Sequence, residues 1–486
     1  MSTLSVPLLQ YDFSQQVLEA PTTNPRPATL PVPNPTRSFW VDTPGANPLA
    51  REGSDGPLTN DADVCIIGSG ITGVSAAYHL SKIAATRSLQ SPLKAVIVEA
   101  RDFCSGATGR NGGHLTPFVF VGFHQKEQLF GTSDAAKGFA LENHTSQEIV
   151  DIIHQHGLGP AVDLVKGGHI TLFVTDKEEA QVRADYDAAK AAGVELHEIK
   201  WISKEEMRAN YGASFSGVQF HGHNLWPLKF VTELFKIAKS HTPEFDLSLH
   251  TNTPVTAIYP GSNTSSRRWV LSTPRGTLRC SHVIHATNAY ASHLLPQFSG
   301  PTGIIPTRGQ IIATRAAVSA KSLTKSSWDG NEGFEYWFPR PVQNPDEKPL
   351  VILGGGRESS GPAFELYQTD DSRLHPEVGE ALRGFLPGAF PGKYDEGTEP
   401  EMEWTGIMGY TKLGDPFVGP VLSAHGTPEG FEGQYISAGY TGHGMPRGYA
   451  CAEVVANMIG ADLTGERWSM PNWLPKHYLT ENRALA

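Results

Sequence analysis

The sequence predicts an α/β architecture, α+β when the whole chain is counted. One domain is expected on a doubly wound parallel sheet and a second on a mixed sheet. Three observations carry this. "DADVCIIGSGITGVSAAYHLSKIAA" (61–85) reads as strand, glycine turn and helix, and "KAVIVEA" (94–100) follows as a second buried strand. Short strand patterns separated by turns fill about 247–286 and 302–358. "QYISAGYTGHGMPRGYACAEVVANMIG" (434–460) reads as strand, glycine loop and final helix.

The elements follow in order. Residues 1–37 form a Pro-rich extension, extended rather than helical, with Phe39 and Trp40 after it as apolar anchors that dock on the body. Val64 to Ile67 are continuously apolar, as in a strand buried on both faces. From Ile71 the apolar pattern turns helical through Val74 and Tyr78. Helices are expected at 141–165, 176–192 and 227–240. Strands are expected in "LSLHTNTPVTAIYP", "RRWVLST", "GTLRCSHVIHAT", "GQIIATR", "EYWFPRP" and "PLVILGGG". The expected domains are 1–37 as extension, 38–150, 223–300 and 401–486 as one discontinuous domain, and 151–222 with 301–400 as the second. No internal repeat is evident.

Composition narrows the function. The 486 residues are 39% hydrophobic with a net charge of −11, an acidic balance that disfavours nucleic acid and anionic membrane as partners. No apolar run is long enough to span a membrane. The amino terminus lacks a signal-peptide pattern, so a cytoplasmic location is expected. Cys65, Cys104, Cys280 and Cys451 have no metal or disulfide spacing, and Cys65 and Cys451 read as buried thiols. No metal site is expected. Sequons at Asn143 and Asn263 are read as chance.

"GSGITG" (68–73) is a dinucleotide fingerprint. Gly68 permits the turn, Gly70 lets the backbone approach a pyrophosphate, and Gly73 lets the helix pack on the sheet. The pyrophosphate then sits on backbone N–H groups at the helix start. Glu99, ending the second strand, is placed for ribose hydroxyls. It stands 26 residues after Gly73, further than usual, so "ATRSLQSPLK" reads as a loop insertion. "FCSGATGRNGGHLTPF" (103–118) is too rich in glycine for helix or strand. A nicotinamide cofactor needs no such loop after the ribose acid; a flavin, whose ribityl chain and ring run on, does.

These stretches, with "VEARDFCSGATGRNGGH" and "GYTGHGM", resemble the D-amino-acid oxidase superfamily of FAD-dependent oxidoreductases. "GATGRNGG", "SFW", "PLTNDADVCIIG", "RGQIIAT" and "EWTGIMGYTKLGDPFVGPV" are similar to its gamma-glutamylputrescine oxidase-like branch. The likeness runs from about 38 to 460. It implies a Rossmann-like FAD-binding domain and a mixed-sheet substrate domain that roofs the flavin. It implies that Gly68, Gly70, Ile71, Thr72 and Gly73 cradle the diphosphate. Glu99 binds the adenosine ribose, and Ala100 and Arg101 lie beside adenine. Gly106, Ala107, Thr108, Arg110, Asn111, Gly112, Gly113 and His114 line the ribityl chain and flavin edge. Val255 contacts adenine and Thr287 passes the diphosphate. Gly442, His443, Gly444 and Met445 face the flavin N1 and O2. Some family members tether FAD through a cysteine in the segment matching "EWTGIMGYTKLGDP"; none occurs here, so non-covalent FAD is expected.

The expected reaction is hydride transfer from a substrate C–H, of an amine or amino acid, to flavin N5. No obligatory acid–base residue is needed if the amine binds neutral. An alcohol or aromatic substrate, or a flavin-binding protein with little turnover, stands as the alternative. Oxygen is a candidate electron acceptor. His114, Tyr336, Trp404 and His443 are the catalytic candidates, and Arg308, Tyr336, Phe338 and Trp404 the substrate-binding ones. Tyr336 and Phe338 share one strand face and either roof the flavin or fill core. Arg308 either grips a carboxylate or makes a structural salt bridge. His114 either contacts flavin or substrate or supports residues that do. His443 is expected near the flavin rather than in proton transfer.

Overall fold

The computed structural model describes residues 26–87, 91–262 and 267–483. Residues 1–25 of the extension, 88–90 of the expected insertion and the sequon at Asn263 lie outside the described residues.

A six-stranded sheet runs in the order Phe417–Pro420, Gln434–Ala438, His282–His285, Val64–Ile67, Leu93–Val98, Phe245–His250. All neighbours are parallel except the first pair. Its central strand is apolar at every position because both faces are covered. Val64 and Ile66 face the helices Ile71–Thr86, Pro227–Ser240 and Met445–Thr464 in the main core. Cys65 and Ile67 face the other way, onto Trp269, Leu271, Leu278 and Cys280. That second face is covered by a three-stranded antiparallel sheet, Ala257–Pro260, Trp269–Thr273 and Gly276–Cys280. Among the described residues, helices cover one face of this sheet and strands the other, which differs from the doubly wound expectation. The strands at 257–280 were legible, but not that they leave the parallel sheet to cover it.

An eight-stranded sheet runs Met402–Tyr410, Ile305–Arg315, Leu350–Gly355, Glu335–Pro339, Ser327–Gly330, His169–Phe173, Ser216–Phe220, Lys200–Ile202. It is mixed: Ser327–Gly330 pairs parallel with His169–Phe173 and the other neighbours are antiparallel. The strand Met402–Tyr410 falls on the cofactor side of the expected boundary at 401 yet pairs in this sheet. One register line crosses it: Thr171, Asp329, Tyr336, Gly354, Ile311, Trp404. Directly paired residues share a face, so this line defines what the sheet presents. Trp337, one position off it, points to the opposite core with Trp328, Phe385 and Phe390.

The helix expected at 141–165 runs instead over Thr132–Gln155. It stops where Gly157 takes φ 64° and Pro160 follows. Asp176–Ala191 starts on a capping box of Thr175 and Glu178. All four cysteines are buried and free. Among the described residues no helix is long and apolar enough to cross a membrane, and no group of three His, Cys, Asp or Glu side chains is placed to hold a metal.

Candidate active site

Between the two large sheets lies a cavity of about 360 Å³, within the range of small-molecule sites. The fingerprint forms one wall. Gly68 takes φ 108°, and a Cβ there would lie 2.6 Å from the carbonyl oxygen of Ala286. A Cβ at Gly73 would lie 1.9 Å from the carbonyl oxygen of Gly68, so helix and strand meet backbone to backbone. The helix opens on Gly70, and Thr108 Oγ1 accepts from the backbone N–H of Ile71 at 3.0 Å. Glu99 accepts from the N–H and hydroxyl of Ser69 at 3.0 and 2.8 Å and from the N–H of Arg101 at 3.0 Å. The acid thus fixes the glycine turn beside it.

The glycine-rich loop is pinned from behind. Asp371, buried, accepts from Arg101 Nη1 at 2.9 and 3.0 Å, and Arg110 Nε lies 3.6 Å from it. Arg110 donates to the carbonyls of Ser105 and Thr405 at 2.9 and 2.8 Å. Both arginines touch the cavity, but their guanidinium groups are spent on protein. Trp404 Nε1 donates to the carbonyl of Arg110 at 3.0 Å, and its ring is fully buried.

Of the expected cofactor residues, Gly68, Gly70, Ile71, Thr72, Glu99, Ala100, Arg101, Gly106, Ala107, Thr108, Arg110, Asn111, Gly112, His114, Val255, Thr287, Gly442, His443, Gly444 and Met445 line this one cavity. Gly73 and Gly113 stand behind the wall. Thr287 Oγ1 is buried without a hydrogen-bond partner.

Three substrate candidates lie off the cavity lining. Arg308 does not line the cavity; its Nε meets Glu365 Oε2 at 2.5 Å and its Nη1 donates to the carbonyl of Asp370 at 3.1 Å. Phe338 shares the face of Tyr336 but lies under Trp40, its ring parallel at 6.4 Å, and against His114. Trp404 lies on the register line of Tyr336, yet the glycine-rich loop covers it. Strand alternation identifies a face and not what rests upon it.

His114, Tyr336 and His443 do line the cavity. Burial pushes the His114 imidazole down to about 4, and His169 adds to this; its nitrogens face the carbonyls of Gly112 and Trp328 at 3.2 and 3.3 Å. A neutral ring donates to one of them only. Burial raises the Tyr336 phenol to about 12. His443 lies flat on Phe118 and reaches Glu142 Oε2 at 3.1 Å. Glu142 also accepts from Arg447 Nε at 2.7 Å and the Phe118 N–H at 2.6 Å. Burial opposes its charge, but His443 and Arg447 outweigh this and hold the carboxyl down at about 2.

Sequence reasoning missed the far end. His169 Nε2 lies 3.2 Å from Asp329 Oδ1, and its Nδ1 is 2.8 Å from Ser327 Oγ. Burial works against the Asp329 charge, but His169 holds the carboxyl below its ordinary value. Arg357 Nη2 donates to Tyr410 Oη at 2.8 Å, with the guanidinium 4.9 Å over that ring. Asp329, His169, Arg357 and Tyr410 all line the cavity. Nothing in the sequence singled out Asp329; the pairing of its strand places it beside Tyr336.

The family profile described as FAD dependent oxidoreductase matches residues 63–458. The chain belongs to the FAD-dependent oxidoreductase (DAO) family. Two curated relatives are similar along most of their length. The probable oxidoreductase OrdL of Rhizobium meliloti (strain 1021) is 23% identical over 83% of this chain and 84% of its own. The gamma-glutamylputrescine oxidoreductase of Escherichia coli (strain K12) is 23% identical over 87% and 89%. Among solved structures, glycine oxidase from Geobacillus kaustophilus superposes with a TM-score of 0.61 at 17% identity, covering 86% of this chain and 99% of that one. L-proline dehydrogenase from P. horikoshii gives 0.61, at 17% identity over 87% and 98%. These likenesses establish the fold. As a DAO family member the chain is an FAD-dependent oxidoreductase, and its cavity fits that cofactor: glycines where a Cβ would collide, an acid beside the turn, an orphaned Thr287 hydroxyl, and a groove long enough to run past the fingerprint to His443. No cysteine lines the cavity.

Proposed function

We propose that the chain oxidises an amine, amino acids included, at the carbon next to nitrogen. One observation favours this over an alcohol or a plain aromatic substrate: opposite charges line the sheet side of a single cavity. Glu99, Arg101 and Arg110 are committed to the cofactor wall and its supports. On the roof, Asp329 presents a half-buried carboxylate backed by His169, and Arg357 presents a guanidinium steadied by Tyr410. Asp329 offers an ammonium an opposite charge, and Arg357 offers a carboxylate one.

Gly68, Gly70, Ile71 and Thr72 would hold the FAD diphosphate, with Gly73 letting the helix pack behind them, Glu99 the ribose, and the cavity-lining residues of 106–114 the ribityl chain. When bound, FAD supplies the hydride acceptor at N5. The protein's part is position and field. Tyr336, packed against Gly112 and Gly354, forms a rigid patch of roof above the loop. Gly442 to Met445 turn into the last helix, whose free backbone N–H groups suit negative charge developing on the reduced cofactor, and His443, held by Glu142, lies beside them. His114, neutral near pH 7, acts as a contact group rather than a proton carrier.

The test is anaerobic addition of amines, amino acids and alcohols to the purified yellow protein. Bleaching of flavin absorbance by amines or amino acids supports the proposal; bleaching by alcohols alone, or by none, sinks it. Peroxide release on admitting air then separates oxidase from dehydrogenase.

A further inference from the structure

The Pro-rich segment before the fingerprint runs over the cavity. Leu30 and Pro31 line it, together with Arg101, Val255, Thr287, Tyr290, His293 and Leu294. Those neighbours lie around Glu99 and the crossing strand that ends at His285, the adenosine side of a dinucleotide site. The segment has no regular structure of its own. Prolines at 27, 31, 33 and 35 keep it extended and limit the entropy lost on ordering it.

An extended strand without internal hydrogen bonds stays down only if others hold it, and this one is tied at each step. Ala28 N–H donates to Ser292 Oγ at 2.9 Å, and Thr29 meets Thr369 at 3.3 Å. The Val32 carbonyl accepts from Arg101 Nη1 at 3.3 Å. Thr36 is the central tie: its N–H donates to the Asp371 carbonyl at 2.8 Å, and its hydroxyl accepts from the Thr405 N–H at 2.9 Å and from Arg110 at 3.2 Å. Ser38 Oγ donates to the Gly109 carbonyl at 2.6 Å, and Trp40 Nε1 to the Asn111 carbonyl at 2.5 Å. The segment thus bonds the back of the glycine-rich loop while its apolar pair lies on the cavity.

We propose that residues 28–40 are a strap belonging to the cofactor site. Leu30 and Pro31 close the adenosine end, and Thr36, Ser38 and Trp40 set the glycine-rich loop, so the strap slows the escape of FAD. With no cysteine lining the cavity, retention rests on such contacts. The inference concerns cofactor binding alone and stands whatever substrate is oxidised.

The experiment uses full-length holoenzyme. Release of FAD is followed as the rise in flavin fluorescence after dilution. Affinities for ADP and FMN are measured on FAD-depleted protein. Leu30→Ser with Pro31→Gly is compared with wild type, and Leu30→Ala alone is the milder variant in case the double one fails to fold. Release is expected to quicken about tenfold, the effect of losing contact with one leucine-sized group. ADP affinity falls in parallel, while FMN affinity holds. Release within twofold of wild type in both variants overturns the proposal. So does an equal loss of ADP and FMN affinity, which would place the effect in the fold and not at the adenosine end.

Discussion

The imidazole of His443 lies flat against the ring of Phe118, centroids 3.8 Å apart and planes 3° from parallel. The stack sets the ring edge toward Glu142, which Arg447 holds from the other side. Glu142→Gln removes the charge from this buried cluster and leaves Arg447 with Asp415, at 3.4 Å, as its carboxylate partner. Breaking such a pair costs about 3 kcal/mol. The measurement is a denaturant titration of holoenzyme; a loss under about 1 kcal/mol would show that the cluster is solvated.

Two glycines differ in what surrounds them. Gly73→Ala drives a methyl group into the Gly68 carbonyl, whereas a Cβ at Gly384, in the helix Pro376–Ala389 away from the cavity, meets nothing within 4 Å. Gly73→Ala is expected to yield protein without flavin, and Gly384→Ala to stay yellow. Flavin content per protein after purification reads both.

Arg357 and Asp329 separate by substrate type. Arg357→Ala should raise KM about a hundredfold for an amino acid and little for the matching amine without a carboxylate. Asp329→Asn should weaken both. An equal effect of Arg357→Ala on the two substrates would remove the carboxylate from its role.

Acid should destabilise the fold in a defined window. Burial holds His79, His114 and His285 down at about 4 in the folded protein, against 6.5 for a free imidazole. Between those values the unfolded chain binds protons that the folded chain does not. The contribution of these histidines is therefore constant above pH ~6.5 and is lost as pH drops toward 4, by roughly 3 kcal/mol for each. Glu142 extends the loss below pH 4. Thermal melts across pH 4 to 7 check this; a flat profile would mean that these rings are hydrated.

The cofactor wall was readable because its constraints are local. The three fingerprint glycines, the acid after the next strand and the polar loop beyond it each have one backbone reason, and all lie within a short span. The substrate roof was not. His169 and Ser327 are 158 residues apart in sequence, and only strand pairing brings Asp329 beside Tyr336. Arg308 stood open between a substrate carboxylate and a structural salt bridge, and only the fold brings Glu365 beside it. Trp404 misled because the loop that buries it arrives from nearly three hundred residues earlier. The cover on the second face of the parallel sheet was hidden for the same reason: periodicity marks a strand but not its partner.

The central strand Val64–Ile67 is among the first elements of the body to leave the ribosome, but its edges are completed on different schedules. The Leu93–Val98 edge follows within a few dozen residues. The other waits for His282–His285, and the cavity mouth for Gly442. For roughly two hundred residues of translation the strand stands with one unpaired edge, and its apolar face waits longer still for the last helix, a state prone to mispairing. The chain is thus most vulnerable during its own synthesis, and FAD arrives at a site whose last wall is among the last parts made.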